Sequence, residues 1–225
     1  MTIFRRTIAA LRGPFVGASP AGRPGLQACL WLLLVGIAVV GRLWRPEWNG
    51  TPLWNVTPLS GVAVVAGAVF ANRMLLAASV PVAALAVSNL AEPGYGSVAM
   101  ATVVFAATAW PVLLGGVARR GWLGMLCGGL AASLGFFLIT NAAHWFFTSD
   151  YPRDALGLVA CYVAALPFYR PLGDLVWTGV LAAVTAGVLR AADWLPTAAL
   201  RSAPCPARAT VRRQSAARPA DARLD

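Results

Sequence analysis

The sequence has little charge. Asp, Glu, Lys and Arg make up 12% of its 225 residues, whereas 59% of the residues are apolar. A soluble globular domain carries about 25% charged residues, because it needs them to cover its surface with polar groups. This shortage argues against a water-soluble fold and predicts a membrane protein.

Lysine is absent, so all 18 basic residues are arginine, and the formal net charge is +10. Most of the arginines cluster in the first 23 residues, at Arg119–Arg120 and from Arg190 onward, where each cluster flanks an apolar run. Arginines in such positions orient membrane helices and contact anionic lipid. The positive charge therefore predicts contact with a lipid bilayer and no nucleic-acid binding.

Cysteine and histidine are scarce as well. The four cysteines form no CxxC pair, and His144 is the one histidine. This pattern predicts neither a disulfide framework nor a metal site. HExxH, GxSxG and P-loop motifs are missing, and the carboxylates are too sparse for a paired general acid and base. We therefore expect no enzymatic activity and no cofactor.

The apolar runs predict an all-α membrane protein with six transmembrane helices. The predicted spans are 27–43, 57–71, 74–91, 98–118, 122–147 and 172–189. Pro111 is expected to kink the fourth span without breaking it. The run 155–168 is shorter than the roughly 20 residues that a span requires, so we predict a short non-spanning helix at the outer surface.

The charged residues between the spans predict three regions and an orientation. Residues 1–26 are a basic cytoplasmic tail, 27–194 the transmembrane domain, and 195–225 a disordered cytoplasmic tail rich in arginine and proline. Arg73 then lies inside and Glu92 outside. We predict a multi-pass protein of the bacterial inner (plasma) membrane with both termini cytoplasmic, since the arginine bias is typical of a GC-rich genome.

Polar residues gather at the predicted outer level. Asn141, His144 and Trp145 share one face of the fifth span, Asn55 precedes the second span, and Asp174 opens the last. Polar side chains in membrane segments generally face the protein interior or a wet cavity. We predict that these five bind a small polar ligand. The alternative is a set of interfacial residues and interhelical hydrogen bonds.

Asp174 has a structural alternative of its own. It follows Pro171 and Gly173 in "PFYRPLGD", where these two residues predict a turn before the last span. A carboxylate in the first turn stabilises a helix through its amide groups and dipole. This role and ligand contact are both open for Asp174.

The second span carries small residues at every fourth position, Ala63, Gly67 and Ala71. Such a stripe lets another helix approach closely. It predicts either internal packing or a face that docks a partner membrane protein.

Three stretches carry a resemblance: "NVTPLSGVAVVAGAVFANR", "FFLITNAAHW" and "GLVACYVAALPFYRPLGDLVWTGVL". Together they resemble a family of uncharacterised bacterial membrane proteins with a suggested transport role. Members of that family are similar to the substrate-binding S components of energy-coupling factor transporters. The third helix of the family tends to end in a serine–aspartate pair, whereas this chain has Ser88–Asn89, so a charge is missing there.

The resemblance implies a substrate-capture subunit that binds a small molecule, such as a vitamin-like compound, at the outer face. It also implies a transmembrane coupling subunit and ATPases as partners, because this chain has no ATPase motif of its own. The alternative is a membrane scaffold or assembly partner that uses the small-residue stripe of the second span.

Overall fold

A computed structural model describes residues 14–15, 20–44, 47–48, 51–52, 56–92 and 94–194. The chain up to Ala192 forms one compact unit, and Asp193–Asp225 form a second, of which only the end of the last helix is described. Residues 1–13 and 16–19 of the predicted tail 1–26 and the whole of 195–225 therefore lie outside the described residues.

The described chain is helical apart from one short antiparallel strand pair, β1 (Glu47–Trp48) and β2 (Thr51–Pro52). The helices are α1 (Pro24–Leu43), α2 (Leu59–Val69), α3 (Met74–Ser88), α4 (Val98–Ala109), α5 (Gly115–Ala118), α6 (Trp122–Phe147), α7 (Ala155–Ala165) and α8 (Pro171–Trp194). Segments of 3-10 helix, Trp110–Leu114 and Leu166–Phe168, follow α4 and α7. The predicted all-α class is confirmed.

Four helical stretches in the described residues, not six, are long and apolar enough to cross a membrane. They are Pro24–Leu43, Val98–Ala118, Trp122–Phe147 and Pro171–Asp193. The predicted second and third spans are α2 and α3, with 11 and 15 residues. At 1.5 Å per residue they are roughly 17 and 23 Å long, below the roughly 30 Å of a hydrocarbon core. The apolar runs in the sequence extended into the turns that flank both helices.

Helix α2 lies at the centre of the bundle, and all eleven of its residues are buried. It packs against α1, α3, α6 and the 3-10 segment after α4. Glycine makes these contacts close: Gly67 lies directly against the backbone of Val112 and Gly115. Because these crossings have no side chain between the backbones, a short helix can be enclosed on every side.

Helices α1 and α3 run parallel to each other. Hydrogen bonds join them at three levels: Arg73 to Gln27 at 2.9 Å, Trp31 to Ser79 at 2.9 Å, and Arg42 to Ser88 at 2.5 Å. These pairs advance along both helices in the same direction. The chain therefore passes up α1, down α2 and up α3, and Arg73 lies at the opposite end of the bundle from Arg42.

Two prolines have local effects that the structure makes explicit. Around Pro111 the α-helix changes to 3-10 helix. The kink predicted at this proline is thus a local change of helix type. Pro171 starts α8, so the predicted turn at Pro171–Gly173 is wrong. Proline suits the first position of a helix because the N–H it lacks would have no partner there.

Candidate functional site

The helix ends on the Arg42 side of the bundle enclose a cavity of about 410 Å³. Its lining comes from the end of α1, the start of α2, the end of α3, α4 with the loop before it, α6, and the connection from α7 into α8. Three segments that the sequence placed at one membrane surface thus contribute to one cavity, through Thr57, Asn141 and Arg170.

Asp174, in the first turn of α8, is a buried charged residue of this cavity and is only 8% exposed. Its Oδ2 accepts a hydrogen bond from Ser133 Oγ at 2.5 Å. In the described part of the chain, no basic group lies within the 4.0 Å of an ion pair to this carboxylate. The carboxylate is therefore buried beside a neutral hydroxyl and has no counter-charge.

One turn beyond Asp174 on α8, Thr178 packs at the point where α2, α6 and α8 meet. Thr178 is fully buried, and its Oγ1 donates to the Asp174 carbonyl at 2.7 Å. A Cβ added at Gly61 or at Gly129 would stand 2.8 or 2.7 Å from this Oγ1. The glycines on α2 and α6 therefore leave just enough room for the threonine, which holds the start of α8 in place below the carboxylate.

Arg42 brings a positive charge to the cavity from the end of α1. Its Nη1 donates to Ser88 Oγ at 2.5 Å, to Asn89 Oδ1 at 2.7 Å and to the Leu85 carbonyl at 3.4 Å. All three acceptors are neutral. Among the described residues, the guanidinium is therefore held in place without being neutralised.

Aromatic rings form a large part of the remaining lining. The residues concerned are Tyr95, Phe136, Phe137, Phe168 and Tyr169. The ring of Phe137 packs against Tyr169, with 4.8 Å between centroids, and against Tyr162 at 5.8 Å. Such a wall offers flat apolar surfaces on which a ring or chain of a ligand can pack.

Of the predicted ligand-binding residues, the structure places Asn141 and Asp174 at the cavity. The Asn141 side-chain nitrogen donates to the Phe137 carbonyl at 2.7 Å, so its amide oxygen is the group left for a ligand. Asn55 lies outside the described residues.

His144 and Trp145 line no part of this cavity and instead hold the loop after α6. His144 Nε2 lies 3.0 Å from Asp150 Oδ2, and Trp145 Nε1 donates to the Pro152 carbonyl at 2.8 Å. The Arg153 guanidinium lies over the Trp145 ring and donates to the Trp145 carbonyl. These contacts fold the loop back against the end of the helix.

The small-residue stripe of α2 faces other helices of the same chain. Ala63 is fully buried, Gly67 is buried against the 3-10 segment, and Ala71, just past the end of α2, is partly exposed. A partner helix cannot reach Ala63 or Gly67 without displacing part of the bundle.

Arg42 and Ser133 are among the cavity residues that the sequence did not predict. Ser133, Phe137 and Asn141 recur at every fourth position and share one face of α6, so following that face back from Asn141 would have found Ser133. Arg42 falls within the predicted first span 27–43, and no role was predicted for it. Its contact with Ser88–Asn89 depends on the parallel packing of α1 and α3, which the sequence pattern does not reveal.

Four apolar helices of spanning length, packed around a buried short helix, indicate a multi-pass membrane protein. The chain belongs to DUF6580, which is described as a family of unknown function and whose model matches residues 24–197. No curated protein and no solved structure matches the chain significantly. The matched range includes every residue that lines the cavity.

Proposed function

We propose that this chain is the substrate-capture subunit of a membrane transporter and that it binds a small polar molecule in the cavity around Asp174. The observation that carries the proposal is the buried carboxylate without a counter-charge. Burying such a group costs stability, and charged residues inside membrane segments generally serve a substrate or ion pathway. Replacing such a group with an apolar side chain is often neutral or stabilising, so folding alone does not account for its presence.

The charge distribution supports an outward-facing cavity. The end of the bundle far from the cavity carries Arg23, Arg73 and Arg190 in addition to Arg119 and Arg120, whereas the cavity end carries Arg42, Arg153 and Arg170. Arg119 and Arg120 follow α5 and precede α6, at the end of α6 that is far from the cavity. Since basic residues concentrate on the cytoplasmic side, the cavity faces outward in this proposal.

We also propose six crossings, although two of the helices are short. From Gln27 to Arg42, α1 covers about 22 Å at 1.5 Å per residue. Helix α3 covers the same distance beside it, and α2 returns between them. A bilayer can thin locally around short spans at modest cost. Six crossings place both termini in the cytoplasm, in agreement with their arginine content.

Release of the ligand into the cell needs an energy source that the sequence of this chain does not provide. The resemblance to S components favours a transmembrane coupling subunit with ATPases, and a vitamin-like compound as substrate. The scaffold alternative is less favoured, because the stripe that it would use faces the interior at Ala63 and Gly67.

Replacing Ala165 with tryptophan is expected to abolish ligand binding. Ala165 lines the cavity, so the new side chain would fill space that a ligand needs, whereas neighbouring Ala164 is exposed and lines no part of it. Small molecules retained through purification should be identified by mass spectrometry, and a vitamin panel tested by thermal shift. Ala164→Trp is the matched control and should behave as wild type.

Retention of the same compound by Ala165→Trp and by wild type would show that the ligand binds elsewhere. If the wild-type protein retains no small molecule and no vitamin changes its melting temperature, the capture function is refuted and the scaffold function gains support.

Cysteine labelling tests the orientation. In a chain whose four native cysteines are replaced by alanine, Arg170→Cys is expected to react with a membrane-impermeant maleimide in intact cells. Arg120→Cys should react only after the membrane is opened, because it lies at the opposite end of the bundle. Both positions are exposed in the fold, so a difference in labelling between the two variants reports the side of the membrane and not burial. The reverse pattern would place the cavity in the cytoplasm.

A further inference from the structure

We infer that the ligand of this cavity is a small zwitterion of the amino-acid type, with an anionic group bound at Arg42, a cationic group bound at Asp174 and an apolar body against the aromatic wall. This inference rests on the proposed capture function and names its substrate class. It follows from two charges of opposite sign that line the same cavity without neutralising each other.

Arg42 is prepared for an anion. Among the described residues, the hydrogen bonds of Arg42 to the protein all come from one terminal nitrogen, Nη1, so the guanidinium is fixed in position while its other donors have no partner in that part of the chain. The acceptors on Ser88 and Asn89 are neutral, which leaves the positive charge for the ligand. A guanidinium in a fixed orientation suits a carboxylate, because both groups are planar and can form paired hydrogen bonds.

Asp174 is prepared for a cation or a strong donor. Ser133 donates to Oδ2, which leaves Oδ1 as an acceptor without a partner among the described residues. Desolvation makes an unpaired carboxylate costly, and an ammonium group on the ligand would offset that cost. A ligand that is only anionic would instead place like charge near this carboxylate.

Neither charge is satisfied by the other in the described structure, since Arg42 and Asp174 form no ion pair within 4.0 Å. A third charged residue of the lining, Arg170, is exposed at the cavity mouth, where solvent screens it. A zwitterion would satisfy both inner charges at once. A ligand with one charge would leave either the buried Asp174 or the partly buried Arg42 unpaired.

The remaining lining limits the body of the ligand. Phe136, Phe137 and Tyr169 present ring surfaces, and Asn141 and Thr140 are the nearby polar groups on α6. A volume of about 410 Å³ is within the range of pockets that take small metabolites. The cavity therefore favours an aromatic or branched apolar side chain over a highly polar one.

The test uses matched sets of four compounds with the full-length protein in lipid nanodiscs. For phenylalanine, tyrosine, tryptophan and leucine, the free amino acid is compared with its amide, its N-acetyl derivative and its N-acetyl amide. These forms carry both charges, only the positive one, only the negative one, and neither. In at least one set, the free amino acid is expected to bind at least about tenfold more tightly than the other three forms.

Two variants assign the charges. Arg42→Gln should remove the preference for the amino acid over its amide, because no cation is left to bind the carboxylate. Asp174→Asn should remove the preference over the N-acetyl derivative. Each variant should keep the other preference. If either residue had only a structural role, its replacement would weaken the binding of all four forms to the same extent. That result would overturn the assignment.

The failure of this inference and the failure of the capture function are distinguishable. If singly charged or neutral forms bind as tightly as the amino acids, capture stands and the zwitterion assignment falls. The same conclusion follows if the compound retained through purification lacks either charge. If the protein binds no compound of these sets and retains none, the capture function falls and this inference with it.

Discussion

Replacing Gly67 with leucine is expected to prevent the bundle from folding. A Cβ added at Gly67 would lie 2.9 Å from the carbonyl carbon of Val112 and closer still to its oxygen. Overpacking a core costs about 1–3 kcal/mol when side chains can move aside. Here the neighbour is backbone, held in the 3-10 segment around Pro111, so we expect a larger loss. Size-exclusion chromatography and thermal unfolding in the same detergent measure it.

Gly36 provides the matched control for this substitution. It lies on α1, is exposed, and a Cβ added there would meet nothing within 4 Å. Gly36→Leu should therefore elute and unfold as wild type does. Normal folding of Gly67→Leu would mean that α2 and the 3-10 segment are not in backbone contact. Because Gly67→Leu unfolds the chain itself, it cannot separate partner docking from internal packing.

Replacing Asp174 with leucine is expected to weaken ligand binding by about 100-fold or more while leaving the fold intact. The carboxylate is buried beside Ser133 and has no counter-charge, so its removal relieves a desolvation cost. Apolar replacements of buried charges are often neutral or stabilising by about 1–4 kcal/mol. We expect an unchanged or raised melting temperature together with lost binding, measured on the same preparation.

Asp150 is the control for the Asp174 substitution. It is exposed, pairs with His144 in the loop after α6 and lines no part of the cavity. Asp150→Leu and His144→Ala should both bind ligand as wild type does. A clear loss of stability in Asp174→Leu would instead show that the carboxylate serves mainly to stabilise the start of α8 through the helix dipole.

The sequence predicted the general architecture better than the number of spans. Composition and the lengths of the apolar runs were sufficient to predict the helical class, the long helix Trp122–Phe147 and the short helix before the last span. They were not sufficient for α2 and α3. Hydropathy is summed over residues whether they lie in a helix or in a turn. Apolar turn residues, such as Phe70 after α2 and Leu90 after α3, therefore made the two helices look longer than they are.

The candidate site was only partly predictable, for a geometric reason. Asn141, His144 and Trp145 were grouped because they share a face near the end of α6. The cavity, however, lies deeper along that helix, between Ser133 and Asn141, and the last turn extends past it into the loop. Depth along a helix depends on where neighbouring helices end, and Arg42 is brought to the cavity by that packing.

The placement of α7 bears on how fast a ligand can enter and leave. This helix packs against α6, and much of its apolar surface is exposed, with Leu156 at 79% and Val163 at 58%. The segment that follows it contributes Phe168 and Tyr169 to the cavity wall, whereas the two inner charged residues, Arg42 and Asp174, belong to α1 and α8. Displacing this segment would open a path without unpacking α2. We therefore expect substitutions on the exposed face of α7, at Leu156 or Val163, to change association and dissociation rates together, with little change in the equilibrium constant.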